Sequence, residues 1–537
     1  MIDLTFFTTN TTKIAHARHF LGKYGARVLS FRERTYHASY EEPRLLDRFE
    51  LLRSSYESAL DKARSAGTLS SKAFFFLEDT SVEIEALSSE GNEVPGLDIK
   101  YWMRENDFQT VDQLLKDAGN NRRVIVRSHI VLHIPEFYKK KWNVQEPYLI
   151  FKGEQEGTII SNEIEIKSNV VYPWLDNLTF NKWFCPGKTK SPISKMDIEL
   201  AEKYDFRGKS LINMAEFLQS KGVFYKIPQQ LSLNFDNRKC LVICGYTCAG
   251  KTTAGQFLAE NYGYLHVEAS DFIHLAYYKR HGFENEIPIS SFALAALAEK
   301  PQIAAEEILK YLRRSDASAW VLTGFRALEE LTWFRREAAS LGIQFTTLFI
   351  DADNEIRFKR MGLRGRKGDA ETRSKFKVRD SEQSEMGLDA IKNATEVQLV
   401  TNESSIEEFL TVVSSYTHLP NEHMSTLSSE LPRPIVMPNS EILLEDAILI
   451  TLLDCWATPE TRKYFTTTDI AHRTGAVFPN ATQKQKDNVS RHFNQTFSPY
   501  YEMMTETENG PRKYRLSNTG YGEAIARYRK NAALSGR

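Results

Sequence analysis

An eight-residue stretch near the middle of the chain constrains the fold more than any other feature. Residues Gly245 to Thr252 read GYTCAGKT and fit the pattern G-x-x-x-x-G-K-[ST]. Four apolar residues, Leu241 to Cys244, precede it and predict a short buried strand, and an amphipathic helix is expected to follow. A strand before such a loop and a helix after it favour phosphate binding over a chance glycine turn. The sequence therefore predicts a nucleotide-binding protein.

Each residue type in this loop has a role in binding phosphate. Two glycines let the backbone curl so that N–H groups point at phosphate oxygens, a lysine reaches the β and γ phosphates, and a threonine hydroxyl ligates Mg²⁺. The positive N-terminal end of the following helix adds to the attraction. ATP and Mg²⁺ are the expected cofactors, with Lys251 catalytic and Thr252 at the metal. The expected nucleotide-binding residues of the loop are Gly245, Cys248, Ala249, Gly250, Lys251, Thr252 and Thr253.

Composition narrows the class of protein. A length of 537 residues predicts three or four domains. Because 69 Lys and Arg stand against 70 Asp and Glu, any nucleic-acid surface must be a local patch. The five cysteines show neither a disulfide framework nor a zinc spacing, which suits a reducing compartment. The sequence shows no signal-peptide pattern and no run of about eighteen apolar residues, so we expect a cytoplasmic protein without a membrane segment.

The first predicted module, residues 1–222, carries two polar segments at strand ends. A strand at residues 4–7 leads into a polar turn at residues 8–13 and then a helix, which is either a phosphate cradle or an ordinary capped turn. A second apolar strand is expected to end at Glu78 and Asp79. Two adjacent carboxylates there are unfavourable without a cation or a proton-transfer role. They predict a Mg²⁺ site in which one acid binds the metal and the other activates water.

Four segments of this module occur in a recognisable order. They are residues 8–13 (TTNTTK), 78–81 (EDTS), 95–100 (PGLDIK) and 151–159 (FKG followed by GTI). In this order they resemble the inosine triphosphate pyrophosphatase family. That family converts noncanonical purine nucleoside triphosphates, such as (d)ITP and XTP, to monophosphate and pyrophosphate with Mg²⁺. The resemblance implies the α/β fold of that family over most of the module.

The resemblance also implies roles for individual residues. One group would hold the triphosphate, one would bind the metal, and one residue would read the purine base. Asp79 would act as general base as well as metal ligand. The implied residues are Thr8, Asn10 and Lys13 for the triphosphate, Lys100 in the proline-glycine loop, Arg207 for the base, and Glu41 (or Glu42), Glu78 and Asp79 for the metal.

The module departs from the family pattern in its phosphate and base contacts, while the metal acids are kept. Thr9 stands where the family has a glycine, His16 where it has an acidic residue, and Ser55 where it has a lysine. Residues 178–182 replace a segment that carries an aspartate in the family, and residues 205–206 (Asp-Phe) replace a Ser-His pair. Two alternatives follow. The module either hydrolyses its nucleotide or binds it without turnover.

The second predicted module, residues 235–416, alternates strands with helices. Strands are expected at residues 264–268, 319–322 and 345–350, in addition to the one before the phosphate loop. This alternation predicts a doubly wound parallel sheet with ligands at the carboxyl ends of its strands. A run of arginines at residues 357–366 is typical either of a solvated helix or of a lid that neutralises phosphoryl charge.

Several segments of this module resemble nucleoside monophosphate kinase relatives, particularly dephospho-CoA-kinase-like and archaeal adenylate-kinase-like proteins. The segments are residues 324–326 (GFR), the arginine run, 379–382 (RDSE), 386–388 (MGL) and 401–402 (TN). The resemblance implies transfer of the γ-phosphoryl of ATP to a small nucleotide-like acceptor. Thr323 stands where that family carries an aspartate, and Asp271 is a candidate for the missing carboxylate. The implied site residues are Asp271 and Arg364 for catalysis, and Arg326, Arg360 and Arg366 for the nucleotide.

A Pro- and Ser-rich linker, residues 417–439, leads to a third predicted module at residues 440–530. Three helices followed by a hairpin resemble a winged helix, which implies an α+β domain. A basic helix with Lys484, Lys486, Arg491 and His492, and a wing with Arg512 and Lys513, suit DNA. Winged helices also dock proteins, so a homodimer or an effector protein is the alternative partner.

Three hypotheses for the whole chain remain. The first is an enzyme that joins a pyrophosphatase-like module to a kinase-like module. The second is a catalytically weak sensor that binds (d)ITP-like nucleotides and signals to a partner protein. The third is a nucleotide-responsive regulator that binds DNA through its third module.

Overall fold

The structure is a computed structural model, and the chain in it forms two compact units. The first unit comprises Met1–Leu231 and Lys279–Ala296, and the second comprises Ser232–Tyr278 and Leu297–Arg537. No helix within the described ranges has both the length and the apolar character needed to cross a bilayer. The described residues are 2–35, 47–224, 238–283, 287–315, 317–364, 372–417, 434–437, 442–456, 463–479, 483–495, 497–505 and 510–535.

The first unit is built around a seven-stranded mixed sheet. Its strands are β1 (Ile2–Phe6), β2 (Ala26–Ser30), β3 (Phe74–Ile84), β4 (Pro95–Gly96), β5 (Arg123–His133), β6 (Tyr148–Ile159) and β7 (Phe184–Pro186). The strand order is β2-β1-β3-β5-β6-β7, with β4 paired to β3. Strands β1, β2 and β3 are parallel, whereas β5, β6 and β7 each run antiparallel to their neighbour.

Helices cover both faces of this sheet because successive side chains of a strand point to opposite faces. In β3, Phe74 and Phe76 join one apolar cluster, and Phe75 and Leu77 join another on the opposite face. The helices are α1 (Thr11–Gly22), α2 (Phe31–Thr35), α3 (Arg48–Ser65), α4 (Ile99–Glu105), α5 (Phe108–Asp117), α6 (Glu136–Trp142), α7 (Ile198–Tyr204) and α8 (Phe206–Ser220), with 3₁₀ turns at Pro173–Leu175, Phe180–Lys182 and Ile193–Lys195.

The second unit contains the parallel sheet that the alternation of strands and helices predicts. Its strands are β8 (Lys239–Cys244), β9 (Leu265–Glu268), β10 (Ala319–Thr323), β11 (Gln344–Asp351) and β12 (Val397–Thr401). The order is β12-β11-β8-β10-β9, and every pair is parallel. Strand β8 is central and leads directly into the phosphate loop, so the loop lies at the carboxyl edge of the sheet.

Nine helices follow the strands of this sheet within the described residues. They are α9 (Lys251–Tyr262), α10 (Ala269–His281), α11 (Ile289–Glu299), α12 (Ile303–Arg314), α13 (Leu328–Ala339), α14 (Asn354–Arg364), α15 (Arg373–Glu385), α16 (Leu388–Lys392) and α17 (Ile406–Ser414). Lys279–Ala296, with the end of α10 and most of α11, nevertheless belongs to the first unit. Leu241 and Ile243 of β8 pack with Ala254 and Leu258 of α9 in one buried apolar cluster. This packing holds the beginning of α9 close to the end of β8.

The C-terminal region of the second unit combines helices with a small sheet. Its elements are α18 (Leu444–Asp454), β13 (Phe465–Thr466), α19 (Thr467–Val477), α20 (Gln483–Gln495), β14 (Tyr501–Met504), β15 (Lys513–Leu516) and α21 (Asn518–Ser535). The antiparallel order is β13-β15-β14. Thr466 caps α19 through a capping box with Asp469. The winged-helix assignment stays a prediction, and Glu508 and Asn509 of its expected hairpin turn lie outside the described residues.

Helix α21 packs directly on strand β9 and helix α9. A Cβ atom on Gly522 would lie 3.0 Å from both the backbone nitrogen and the carbonyl oxygen of His266, so the glycine permits close approach. The Tyr521 hydroxyl donates to Glu260 at 2.5 Å, and Arg529 donates to the carbonyl of Ala259 at 3.0 Å. The C-terminal region is therefore part of the same packed unit as the phosphate-loop sheet.

Candidate functional site

The two acids predicted to bind metal lie within strand β3 of the first unit. The sequence suggested that this strand ends at the two acids, but its pairing with β5 continues to Ile84. Glu78 and Asp79 therefore point to opposite faces of the sheet. The Glu78 side chain is 1% exposed and that of Asp79 is 29% exposed. One carboxylate is thus buried, and the other is accessible.

The polar turn after β1 lies beside these acids, because β1 and β3 are neighbouring parallel strands. Asn10 caps α1 by accepting from the backbone N–H groups of Thr12 and Lys13 at 2.9 and 3.3 Å. The Lys13 ammonium lies 3.2 Å from Glu78 Oε2 and 3.7 Å from Asp79 Oδ1. The structure therefore brings the expected phosphate turn and the expected metal acids together.

Glu78 is held by more groups than the sequence indicated. Its carboxylate accepts from the hydroxyls of Thr80 and Ser128 at 2.7 and 2.8 Å, and Arg207 Nε lies 3.1 Å away. Burial works to raise the pKa of Glu78, but the charges of Arg207 and Lys13 outweigh it and hold this pKa below its usual range. Glu78 is therefore ionised.

Arg207 is connected to two of the residues that depart from the family pattern. Its Nη1 donates to Nδ1 of His16 at 3.0 Å, and Nε2 of His16 lies 2.8 Å from the Asp205 carboxylate. Burial lowers the pKa of His16, so its ring is neutral. Arginine can only donate, so the neutral ring carries its proton on Nε2 and donates it to Asp205. His16 and Asp205 are thus two coupled departures rather than two independent ones.

An aromatic ring fixes the position of His16. The Trp174 ring stacks on it with centroids 4.3 Å apart and planes 5° apart. Asn181, in the segment that departs from the family pattern, donates to the Trp174 carbonyl at 2.9 Å. That segment therefore helps to fix Trp174, which in turn packs on His16.

Lys100, Ser55, Glu41 and Glu42 were also named from the sequence. Lys100 is exposed on α4, and Ser55 lies on α3. Glu41 and Glu42 lie outside the described residues. Among the residues that the structure describes, no group of three or more His, Cys, Asp or Glu side chains is arranged to hold a metal ion. The acids available to Mg²⁺ there are Glu78 and Asp79, a number that suits an ion also bound by substrate phosphates.

In the second unit, the phosphate loop needs glycine at both predicted positions. Gly245 has φ +143°, and a Cβ there would lie 2.3 Å from the carbonyl oxygen of Ile350. Gly250 has φ +113°, and its Cβ would lie 2.4 Å from Nδ2 of Asn402. Both positions combine a left-handed backbone with close packing, which only glycine tolerates.

The Lys251 ammonium folds back over the loop. It donates to the carbonyls of Gly245 and Tyr246 at 2.7 and 2.8 Å. Burial lowers the pKa of Lys251 to about 8, against the opposing charge of Glu268. Thr252 is half-buried in the first turn of α9, and Thr253 is exposed. The loop therefore presents a cation and a hydroxyl at the N-terminus of α9.

Three residues outside the phosphate-binding segment hold this loop. Arg357 donates to the Thr247 carbonyl at 3.2 Å, and Gln383 exchanges two hydrogen bonds with Thr247 at 2.8 and 3.1 Å. Asn402 donates to the Ala249 carbonyl at 2.7 Å. Arg357 lies in the arginine run and Asn402 in the TN segment that the sequence indicated, whereas Gln383 carried no sequence signal.

The structure describes the side chains of three of the remaining expected residues of this unit. Arg360 donates to the carbonyl of Asn402 at 3.1 Å, and Arg326 is exposed beyond the end of β10. Asp271 is buried, and its carboxylate accepts from the backbone N–H of Thr519 at 2.9 Å. The Arg364 side chain and all of Arg366 lie outside what the structure describes.

Family models match two parts of the chain. Residues 4–217 match the Ham1 family, and residues 241–384 match the AAA domain. The chain therefore carries a Ham1-like domain, of the inosine triphosphate pyrophosphatase type, followed by a P-loop domain of kinase-like character. Both resemblances stated from the sequence are confirmed at this level.

Three curated relatives each match between a fifth and a third of the chain. A UPF0200 protein of Pyrobaculum aerophilum, PAE1629, is 27% identical over 168 residues, which cover 31% of this chain and 90% of that protein. Mbar_A0975 of Methanosarcina barkeri is 27% identical over 33% of this chain and 96% of its own length. MK0400 of Methanopyrus kandleri is 30% identical over 108 residues, and the chain spans about half (53%) of that relative's length.

Solved structures match about two fifths of the chain. The Ham1 protein of Staphylococcus aureus is 17% identical, with 41% of this chain and 99% of that chain covered and a TM-score of 0.29. A dITP/XTP pyrophosphatase of Mycobacterium abscessus is 19% identical, with 41% and 97% covered and a TM-score of 0.25. At these scores the two likenesses do not bear on the activity of this chain.

Proposed function

We propose that the first unit hydrolyses noncanonical purine nucleoside triphosphates, such as (d)ITP and XTP, to monophosphate and pyrophosphate. The observation that carries this proposal is the cluster of Lys13, Glu78 and Asp79. An accessible carboxylate lies 3.7 Å from a lysine at a helix N-terminus, and a second, ionised carboxylate lies 3.2 Å from the same lysine. The cluster supplies both charges that a Mg²⁺-bound triphosphate requires.

The residues of the cluster differ in exposure, and this difference suits them to different roles. Glu78 is buried and ionised, so it suits a fixed ligand for Mg²⁺, which when bound would neutralise phosphate charge. Asp79 is the accessible acid, and it is the group that takes a proton from the attacking water. Lys13 and the capped turn around Asn10 bind and orient the phosphates.

One observation favours the alternative, a sensor that binds without turnover. The Glu78 carboxylate already has Lys13, Arg207, Thr80 and Ser128 as partners. In this arrangement Arg207 contacts Glu78 rather than being available to a purine base. A unit that keeps this network when it binds (d)ITP would signal to a partner protein instead of releasing pyrophosphate.

We further propose that the second unit binds ATP and transfers its γ-phosphoryl to a small nucleotide-like acceptor. The loop geometry at Gly245 and Gly250, with Lys251 folded over the loop, supports phosphate binding. Thr252, at the start of α9, is the hydroxyl that suits Mg²⁺. Arg360, held through Asn402 beside the loop, supplies positive charge for the transferred group.

Product analysis of the purified chain with Mg²⁺ and a panel of (d)NTPs, including (d)ITP and XTP, tests the first unit. Asp79→Asn should lower pyrophosphate release about 10²–10⁴-fold while nucleotide binding is largely kept, because it removes the proton acceptor. Asp61→Asn makes the same exchange of a carboxylate for an amide at an exposed position on α3. It is the matched control and should leave pyrophosphate release unchanged. Tight (d)ITP binding with no pyrophosphate from the unmodified chain would favour the sensor. Release that Asp79→Asn leaves undiminished would contradict both versions.

ATP binding by calorimetry tests the second unit. Lys251→Ala removes a charge-assisted phosphate contact, so ATP affinity should fall about tenfold or more. Lys310→Ala, on the exposed face of α12, removes the same charge away from the loop and should leave affinity unchanged. An unaltered ATP affinity in Lys251→Ala would refute the assignment of the loop.

A further inference from the structure

The phosphate-loop unit carries a buried carboxylate that the kinase resemblance does not assign. Glu268 is the last residue of β9, and its register partner in β10 is Thr323. Thr323 stands where the resemblance expects an aspartate. Since β8, β9 and β10 are parallel, the ends of these strands share one edge with the phosphate loop. The missing carboxylate therefore has a candidate one strand away.

A hydrogen bond connects the two positions. The Thr323 hydroxyl donates to Glu268 Oε2 at 2.8 Å. Within the described residues, no hydrogen bond reaches the other oxygen, Oε1. That oxygen lies over Gly324, where a Cβ atom would come within 2.2 Å of it. The glycine after Thr323 thus makes the room that the carboxylate occupies.

A buried histidine orients the hydrogen-bonded pair of Thr323 and Glu268. His266 is fully buried, and its Nε2 lies 2.8 Å from the Thr323 oxygen. The single Thr323 proton is directed to Glu268, so the histidine must donate from Nε2. A Cβ on Gly255 of α9 would lie 2.5 Å from this nitrogen, which shows how closely α9 encloses the ring. The chain of donors runs from His266 through Thr323 to Glu268.

The charge of Glu268 acts on the phosphate site. It opposes the effect of burial on the pKa of Lys251, and it also interacts electrostatically with Arg326. Asp271, the candidate from the sequence, is used differently. Its carboxylate binds the backbone of Thr519, and burial raises its pKa well above the usual range. Its bond to the backbone of Thr519 makes Asp271 a poorer partner for a cation than Glu268.

We propose that Glu268 supplies the acidic group of the P-loop site toward nucleotide-bound Mg²⁺, in place of an aspartate at position 323, and that Thr323 and His266 are positioning residues. This inference rests on the proposed ATP binding of the second unit. The donor set fits the ion, because Mg²⁺ prefers oxygen ligands and often keeps waters that a nearby carboxylate can accept from.

The test compares ATP affinity in Mg²⁺ with ATP affinity in EDTA, using the full chain and calorimetry. Lys251→Ala serves as the baseline, since only binding lost in this variant belongs to the P-loop site. We expect Mg²⁺ to tighten ATP binding in the unmodified chain. Glu268→Gln should reduce this gain about 10–100-fold, the range typical for residues that support a bound metal. Its affinity in EDTA should stay within about threefold, which also verifies that the variant is folded.

Two further variants sharpen the result. Adding Thr323→Asp to Glu268→Gln returns a carboxylate to the register partner and should restore most of the Mg²⁺ gain. Glu330→Gln, at a second buried glutamate in the first turn of α13, is the matched control and should keep the full gain. If Glu268→Gln keeps the Mg²⁺ gain, the inference is overturned while ATP binding stands. If the unmodified chain binds no more ATP than Lys251→Ala, the proposed function and this inference fall together.

Discussion

The coupled departures at His16 and Asp205 lead to a prediction that can be worked out from the structure. In the related family, position 16 is acidic and position 205 is serine. Restoring the first residue alone, His16→Glu, would place a carboxylate in buried contact with Asp205. Two like charges about 4 Å apart repel by about 4 kcal/mol at an effective dielectric constant of 20. We therefore expect this single variant to destabilise the first unit by about 3–4 kcal/mol.

Restoring the second residue alone should be milder. Asp205→Ser keeps an oxygen that can cap α8, where Asp205 now accepts from the Gly208 N–H at 2.6 Å. It removes the charged acceptor of the His16 ring, a loss of about 1.5–3 kcal/mol. In the double variant the repulsion is absent, and the carboxylate introduced by His16→Glu can pair with Arg207. The double variant should therefore be more stable than His16→Glu by about 2–4 kcal/mol.

Hydrogen exchange of α1 and α8 in the full chain measures these changes locally. Asp197→Ser is the matched control, since Asp197 caps α7 by accepting from Leu200 N–H at 2.8 Å and is exposed. It should change the exchange of α7 by only a few tenths of a kcal/mol, because serine replaces aspartate well as a cap. The coupling would be refuted if the stability lost in the double variant equalled, to within about 0.5 kcal/mol, the sum of the stabilities lost in the two single variants.

Three further predictions concern acid, packing and nucleic acid. Burial lowers the pKa values of His129 and His133 from 6.5 to about 4. Between these values the unfolded chain binds protons that the folded chain does not, so stability should fall below pH 6.5, by about 2 kcal/mol for each histidine at pH 5. Equal urea midpoints at pH 7 and pH 5 would contradict this. Gly153→Ala places a Cβ 1.9 Å from the Phe206 carbonyl oxygen, so it should lower the free energy of unfolding of the first unit by about 1–3 kcal/mol and lower its melting temperature. Gly22→Ala has open space around the new Cβ and should leave the melting temperature unchanged. If the C-terminal region binds DNA, affinity for a duplex should fall steeply as salt rises, and the absence of any shift at low salt would favour protein docking.

Part of the candidate site could be predicted because its residues are neighbours in sequence. A strand, a glycine-lysine turn and a helix follow one another without interruption from β8 to α9. Their chemistry depends on local backbone geometry, so the pattern alone identifies the phosphate loop, and the structure adds the contacts that require Gly245 and Gly250. The order of segments in the first module, including Lys13 and Glu78, was likewise enough to indicate its family.

Other parts of the site depend on contacts between residues far apart in sequence. Arg207 meets His16 across 191 positions, and Thr519 meets Asp271 across 248. The sequence showed His16 and Asp205 only as separate departures, and it indicated Asp271 as the candidate acid of the second unit without singling out Glu268. Periodicity predicts which face of a strand is buried, but it does not predict which buried polar side chains become partners.

The sequence by itself thus determined the two kinds of nucleotide-binding domain and the loop that binds phosphate. Only the tertiary structure decided which charges are compensated, which are accessible and which face the phosphate loop. The physical reason is that a buried charge takes its properties from every group packed around it. Glu78 and Glu268 are both glutamates at strand positions. The first is held by Lys13 and Arg207, whereas the second is oriented by a threonine hydroxyl and a histidine beside the phosphate loop.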